Sequence, residues 1–386
     1  MTVIVSRRDR FGDSERKSMK SMKEGKGKDT GVELGRILGC LIVIGCHTYL
    51  PIRINDNADI SRTLVAMFCA DGVAVFWLIL GFFLFKTENH LKLCLRTISR
   101  IVVPMLLVSI FHFYFSAWLD GSVETIAESV HRSLNDYKDA LKALVMWTPI
   151  DKGVGHLWYL YVYVLVILVY PAISGMVSYL DKNVKAKKAY SVLALLMFAG
   201  NLLTGNELME FTHHTIRGLF PAVMIVIIGH NLYMHKDRLV RYGLYAPILF
   251  LVLNLIRLKI YLAGFTTSIF WFTLIGILCA ACILAFSFSL VSHVNNERFE
   301  KSINVLASYT FTIYLIHKLT KSVIFRLLKK DMLKLLSPLP PYAVDVMFPA
   351  IMSILIFTTS LIVAVAIRKC CKYGKSALQI FQGIRA

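Results

Sequence analysis

Apolar residues in this chain run together instead of alternating with polar ones. Ten stretches of roughly membrane-crossing length stand out, at 32–50, 63–85, 101–119, 157–174, 190–204, 217–234, 244–262, 266–290, 302–322 and 342–367, each closed by charged or turn-forming residues. An amphipathic surface helix would carry polar positions every turn, and these stretches do not. The pattern predicts an all-α polytopic membrane helical bundle of about ten transmembrane helices. An even number of crossings puts both termini on one side. The basic residues Arg7, Arg8, Arg10, Arg16 and Lys17 before the first stretch, with Arg368, Lys369, Lys372 and Lys375 after the last, assign that side to the cytoplasm. The expected organisation is a disordered basic tail over 1–30, a transmembrane domain over 31–368 and a short basic tail over 369–386.

Alternate loops agree. Lys86, Lys92, Arg96 and Arg100 follow the second stretch, Lys182, Lys185, Lys187 and Lys188 the fourth, and Lys236, Arg238 and Arg241 the sixth, which makes these loops cytoplasmic. The loop after the third carries Asp120, Glu124, Glu128, Asp136, Asp139 and Asp151, as an outer loop can. One segment dissents. Residues 318–334 should lie outside yet are basic, and the helical spacing of SVIFRLLKKDMLKLL reads either as an interfacial amphipathic helix or as one miscounted span. No internal repeat is visible, which weakens a transporter built on duplicated halves.

Composition supports a membrane protein and narrows the partners. The 386 residues are 56% hydrophobic and 17% charged, with mean hydropathy +0.62, whereas a soluble domain is about half apolar and a quarter charged. A net charge of +19 would suggest nucleic acid in a soluble protein. Here the cations lie between apolar stretches and the basic tail has almost no aromatics, so membrane lipid is the expected partner and nucleic acid is not. Of the eight cysteines, Cys40, Cys46, Cys69, Cys94, Cys279 and Cys282 fall in or beside apolar stretches, and no disulfide framework is expected. Cys279 and Cys282 have CxxC spacing without a second pair or nearby histidines, so no metal site is expected. Cys370 and Cys371 sit just past the last stretch, where lipidation or coincidence would place them. No cleavable signal peptide is visible in the long basic tail.

Ionisable groups at membrane depth are costly, which makes them functional candidates. The first stretch holds Arg36 near its cytoplasmic end and His47 near its outer end. Eleven residues at about 100° each return to within roughly 20° of the starting direction and rise about 16 Å, so the two side chains share a helix face at opposite depths. A cation inside and an imidazole outside suit a passage in which an anionic donor is reached from one side and an acceptor from the other, with His47 as proton acceptor. The rival accounts are an arginine snorkelling to lipid phosphates and a histidine at the interface. Glu33, one turn before Arg36, is expected to pair with it. Gly31, Gly35 and Gly39 read as a helix-packing ridge. Asp71 is unusual inside its stretch; it either orients His47 or is satisfied by a Ser, Thr or backbone partner. His213 and His214 read as solvated loop residues.

The acid three residues before Arg36, followed by Arg-x10-His, resembles the opening signature of the acyltransferase-3 family of integral membrane acyltransferases. Three later segments resemble that family in the same order: GVAVFWLILGFFLF (72–85), GHLWYLYVYVLVILVYP (155–171) and ASYTFTIYLIH (307–317). Arg96 and Arg100 are similar to its basic pair ahead of the third span. Leu80 and Trp77 depart from the common Ser and Phe of the second segment. The likeness covers about residues 30–370, with no appended soluble catalytic domain.

The resemblance implies an enzyme of the bacterial inner membrane that moves an acetyl or similar acyl group from cytosolic acetyl-CoA to a hydroxyl of a surface glycan. It implies His47, Arg36 and His317 as catalytic candidates, with His47 as base or intermediate acyl acceptor. Arg36, Arg96 and Arg100 are candidate clamps for the coenzyme phosphates, although positive-inside topology alone would also place the last two there. His156, Trp158 and Tyr314 are candidates for binding the sugar acceptor, with a membrane-interface belt as the rival reading of the aromatics. A flippase for a lipid-linked sugar and a non-catalytic membrane anchor for a soluble transferase remain the alternatives. The sequence assigns neither the glycan nor an oligomeric state.

Overall fold

The computed structural model describes residues 29–49, 60–87, 89–150, 152–203, 215–264, 273–294 and 296–383. The basic tail and the loop histidines His213 and His214 lie outside these residues. Within them every regular element is helical, as expected where lipid offers backbone groups no partner. In chain order they are α1 (Thr30–Tyr49), α2 (Ile60–Phe68), α3 (Gly72–Leu84), α4 (His90–Thr97), α5 (Val103–Leu119), α6 (Ile126–Asn135), α7 (Tyr137–Val145), α8 (Trp158–Leu168) and α9 (Tyr170–Lys182). There follow α10 (Val184–Leu203), α11 (Thr215–Met234), α12 (Lys236–Tyr242), α13 (Ala246–Leu262), α14 (Leu274–Val294), α15 (Glu297–Ala307), α16 (Thr310–Leu336) and α17 (Pro341–Gly383).

Six helical stretches among the described residues are long and apolar enough to cross a membrane: Thr30–Thr48, Ile60–Leu84, His90–Leu119, Lys236–Leu262, Leu274–Val294 and Pro341–Cys371. A seventh joins α8, with the turn before it, to α9, and is bent by 69°. The bend falls at Val169, ahead of Pro171, where the ring removes a backbone donor and crowds the preceding turn. The expected crossing at 217–234 is a shorter apolar helix, and of that at 190–204 the described residues, 190–203, lie in α10. The expected crossing at 302–322 is broken at Ser308 and Tyr309, between α15 and α16. The basic segment after it is no separate element: it continues α16 without interruption from the motif residues to Leu336.

α1 is the axis of the bundle, with α2, α3, α14, α15, α16 and α17 around it. Its glycine ridge packs as the small-residue spacing implies: Gly31 and Gly35 lie against Phe288 and Leu284 of α14, and Gly39 lies against Val75 of α3. Polar ties hold its first turn. Lys236 Nζ donates to Asp29 at 2.6 Å, and Asn304 donates to Thr30 at 3.2 Å.

The tightest crossing joins α3 to α11. A Cβ on Gly81 would strike the Val226 carbonyl and one on Gly229 the Leu78 carbonyl, so each glycine admits the other helix's backbone. Gly81→Ala should therefore cost about 1–3 kcal/mol as an overpacked core. Gly175→Ala on α9, where nothing lies within 4 Å, should be silent. Thermal unfolding in detergent reads both, and equal melting of the two variants would contradict the packing described.

Candidate functional site

Three histidines far apart in sequence meet at one end of α1. His47 comes from its last turn, His156 from the 3-10 turn Lys152–Leu157 that leads into α8, and His317 from the second turn of α16. Ring centroids are 5.2 Å apart for His47 and His317, 5.9 Å for His47 and His156, and 4.8 Å for His156 and His317. His317 is 1% exposed and His156 4%. Tyr314, one turn before His317, donates from its hydroxyl to the His156 carbonyl at 2.6 Å and so locks α16 to the turn.

Hydrogen bonds assign tautomers in two of the rings. His317 Nδ1 lies 2.6 Å from the Tyr314 carbonyl, which can only accept, so Nδ1 carries the proton and Nε2 the lone pair. His156 Nε2 faces the Leu315 carbonyl at 3.5 Å, leaving its lone pair on Nδ1. Both lone-pair atoms are buried with no partner among the described residues. Trp158 lines the cavity beside these rings together with His47, His156 and Tyr314. The cavity is about 30 Å³, room for two or three waters at roughly 10–15 Å³ each.

The same cavity is walled by Cys46, Cys69 and Asp71. Asp71 does not serve His47; its partner is Arg257 of α13. Arg257 Nη1 donates to Oδ2 at 2.8 Å and Nη2 to Oδ1 at 3.0 Å, a bidentate pair with Arg257 1% and Asp71 5% exposed. Arg257 Nη1 also donates at 3.1 Å to the Met67 carbonyl, which accepts from the Ala70 N–H as well, at the end of α2. The pair therefore fastens the break between α2 and α3, beside the cavity, to α13. Gly276 of α14 leaves the space for it: a Cβ there would run into both Asp71 and Arg257. Sequence reading missed Arg257, although an arginine inside an apolar stretch opposite an unexplained acid in another was a usable signal.

Toward the other end of α1, Arg36 Nη1 donates to both Glu33 oxygens, at 3.2 and 3.3 Å, as the spacing implied. Its guanidinium lies 5.8 Å from the Phe83 ring centre of α3 and within electrostatic reach of Tyr159 and Tyr163. Tyr159 and Tyr314 are 6.0 Å apart, with Phe76 5.9 Å from each. An aromatic column thus connects the surroundings of Arg36 to those of His47 inside the protein. Arg96 on α4 and Arg100 in the π turn Ile98–Val102 are exposed, and their side chains carry no hydrogen bond or ion pair among the described residues. Thr97, beside Arg96, hydrogen-bonds Tyr163, which places the basic pair at the Arg36 end.

A second omission is cationic. Lys321 Nζ donates to the His47 carbonyl at 2.7 Å, and Lys318 lies one turn earlier on α16. No group of three or more His, Cys, Asp or Glu among the described residues could hold a metal ion.

No curated protein and no solved structure matches the chain. A family described as an acyltransferase domain matches residues 29–369, a span that contains Arg36, every member of the histidine cluster and the Asp71–Arg257 pair. With that match and its multiple apolar helices, the chain belongs to the acyltransferase-3 family and is a multi-pass membrane acyltransferase.

Proposed function

We propose that this protein carries an acetyl group from cytosolic acetyl-CoA through the bundle to a hydroxyl of a glycan at the opposite face of a bacterial inner membrane. The observation that carries this reading is the histidine cluster: three imidazoles from three separate elements packed ring to ring, two of them, His47 and His156, lining a small cavity, with aromatic rings between that cavity and Arg36. The proposed topology has about ten crossings, the shorter apolar helices included, and both termini cytoplasmic. That puts Arg36, Arg96 and Arg100 on the coenzyme side and His47 on the acceptor side.

In the proposed reaction the coenzyme phosphates bind at the arginine end and the pantetheine arm follows the column. The thioester then lies at the cavity. The acceptor oxygen attacks its carbonyl, the C–O bond forms and the C–S bond breaks. His47 takes the hydroxyl proton and returns it to the departing sulfur, leaving an ester and free CoA. His317 and His156, with proton positions fixed by backbone carbonyls, hold His47 and the acceptor hydroxyl in place. Trp158 and Tyr314 supply flat apolar surface for a sugar ring.

The arginine assignment has its own test. Arg36→Ala with Arg96→Ala and Arg100→Ala should raise the KM for acetyl-CoA about tenfold or more, with Arg→Lys recovering only part because the planar fork is lost. Unchanged acetyl-CoA affinity in the triple variant, measured on purified protein, would refute the clamp.

A further inference from the structure

We infer that the acceptor carries a negative charge, a carboxylate or a phosphate, close to the hydroxyl that is acylated, and that Lys321 together with Lys318 binds it. The inference rests on the histidine cluster being the transfer site and specifies the chemistry of its acceptor.

Four observations carry it. First, the Lys321 ammonium is held at the cluster by a 2.7 Å bond to the backbone carbonyl of His47. Second, Lys318 and Lys321 lie close enough to act electrostatically on His47 and His317, and Lys318 also on His156. Third, the contacts of Lys321 among the described residues are neutral: the His47 carbonyl and the Phe325 ring, 5.2 Å away. A carbonyl satisfies one N–H and leaves the charge uncompensated, and a half-buried cation in low dielectric attracts an anion far more strongly than a solvated one does. Fourth, α16 continues past the cluster with Arg326, Lys329, Lys330 and Lys334 against Asp331, extending the positive potential away from the site.

The coenzyme is not the anion these lysines await. With its pyrophosphate at Arg36, about 16 Å along α1 from His47 at 1.5 Å per residue, only the neutral thioester end reaches the cluster. The remaining partner at that end is the acceptor. A lysine serving merely to cap the last turn of α1, as cations do at helix C-termini, would treat charged and neutral acceptors alike.

The test uses the purified full-length protein with labelled acetyl-CoA and four acceptors. One is an oligosaccharide bearing a hexuronic acid and the second its carboxyl-reduced counterpart; the third is a phosphate-substituted oligosaccharide and the fourth its dephosphorylated counterpart. The expected result is a kcat/KM at least tenfold higher for one anionic acceptor than for its neutral counterpart, and which pair shows it separates carboxylate from phosphate. Lys321→Gln should bring that ratio toward one and Lys321→Arg should keep most of it. In the unaltered protein, added salt should raise the KM for the anionic acceptor and leave the neutral one flat, a readout that does not depend on any variant folding. Equal use of both members of each pair, or a Lys321→Gln variant that slows both equally, would overturn the inference while leaving acyl transfer intact. Failure of the unaltered protein to consume acetyl-CoA with any of the four would overturn the transfer reading itself, and this inference with it.

Discussion

Replacing His47 by Ala is expected to lower acyl transfer by about 10²–10⁴-fold, the usual contribution of a positioned general base, with the protein still inserted in the membrane at normal abundance. His47 is the histidine of the cluster carried by α1, the helix that also carries Arg36, and its ring contacts both neighbouring imidazoles. His317→Ala should cost less than His47→Ala, because in the proposed reaction His317 packs against the ring of His47 and does not touch the substrate. The double variant should be little worse than His47→Ala alone, since groups acting as one unit do not add. Transfer from labelled acetyl-CoA, normalised to protein in the membrane, measures all three. Undiminished transfer in His47→Ala would remove the base assignment.

The second large effect concerns folding. Removing one member of the Asp71–Arg257 pair strands a charge that is nearly fully enclosed, and breaking such a pair costs about 3–5 kcal/mol. Arg257→Met and Asp71→Asn should each unfold in detergent well below the unaltered protein. Asp71→Asn should be the milder of the two, because the amide oxygen still accepts from one guanidinium nitrogen. Asp71→Asn combined with Arg257→Met strands no charge and should recover a large part of the loss. A double variant no more stable than the worse single one would show that the pair is not an isolated charge couple and would contradict this account of it.

Much of the architecture was legible in the sequence for simple reasons. Apolar stretches long enough to cross a bilayer mark themselves by length, and the Glu33–Arg36 pair and the glycine ridge of α1 follow from helical spacing alone. The convergence of His47, His156 and His317 is different: no local rule joins residues more than a hundred positions apart, and only the order of family-like segments suggested it. Helix breaks were harder to see. Hydropathy summed over a window does not register residues 69–71 between α2 and α3, or Ser308 and Tyr309 between α15 and α16, because a break changes backbone direction without changing polarity. Lys321 shows the same limit from the other side. By composition it belongs to a basic, interfacial-looking segment, yet its ammonium folds back to the His47 carbonyl, a contact fixed by how α16 packs against α1 and not by spacing within α16.

Transfer through the bundle needs the coenzyme phosphates at Arg36 and the reacting carbonyl at His47, at opposite ends of one helix. An experimental structure with a non-hydrolysable acetyl-CoA analogue tests it directly. The pyrophosphate is expected within hydrogen-bond distance of Arg36, the arm along Tyr159 and Phe76, and the acyl carbonyl in the cavity beside His47, with donor–acceptor separations of about 2.7–3.2 Å. An analogue whose phosphates lie against Lys318 and Lys321, or whose acyl group sits away from all three imidazoles, would contradict it.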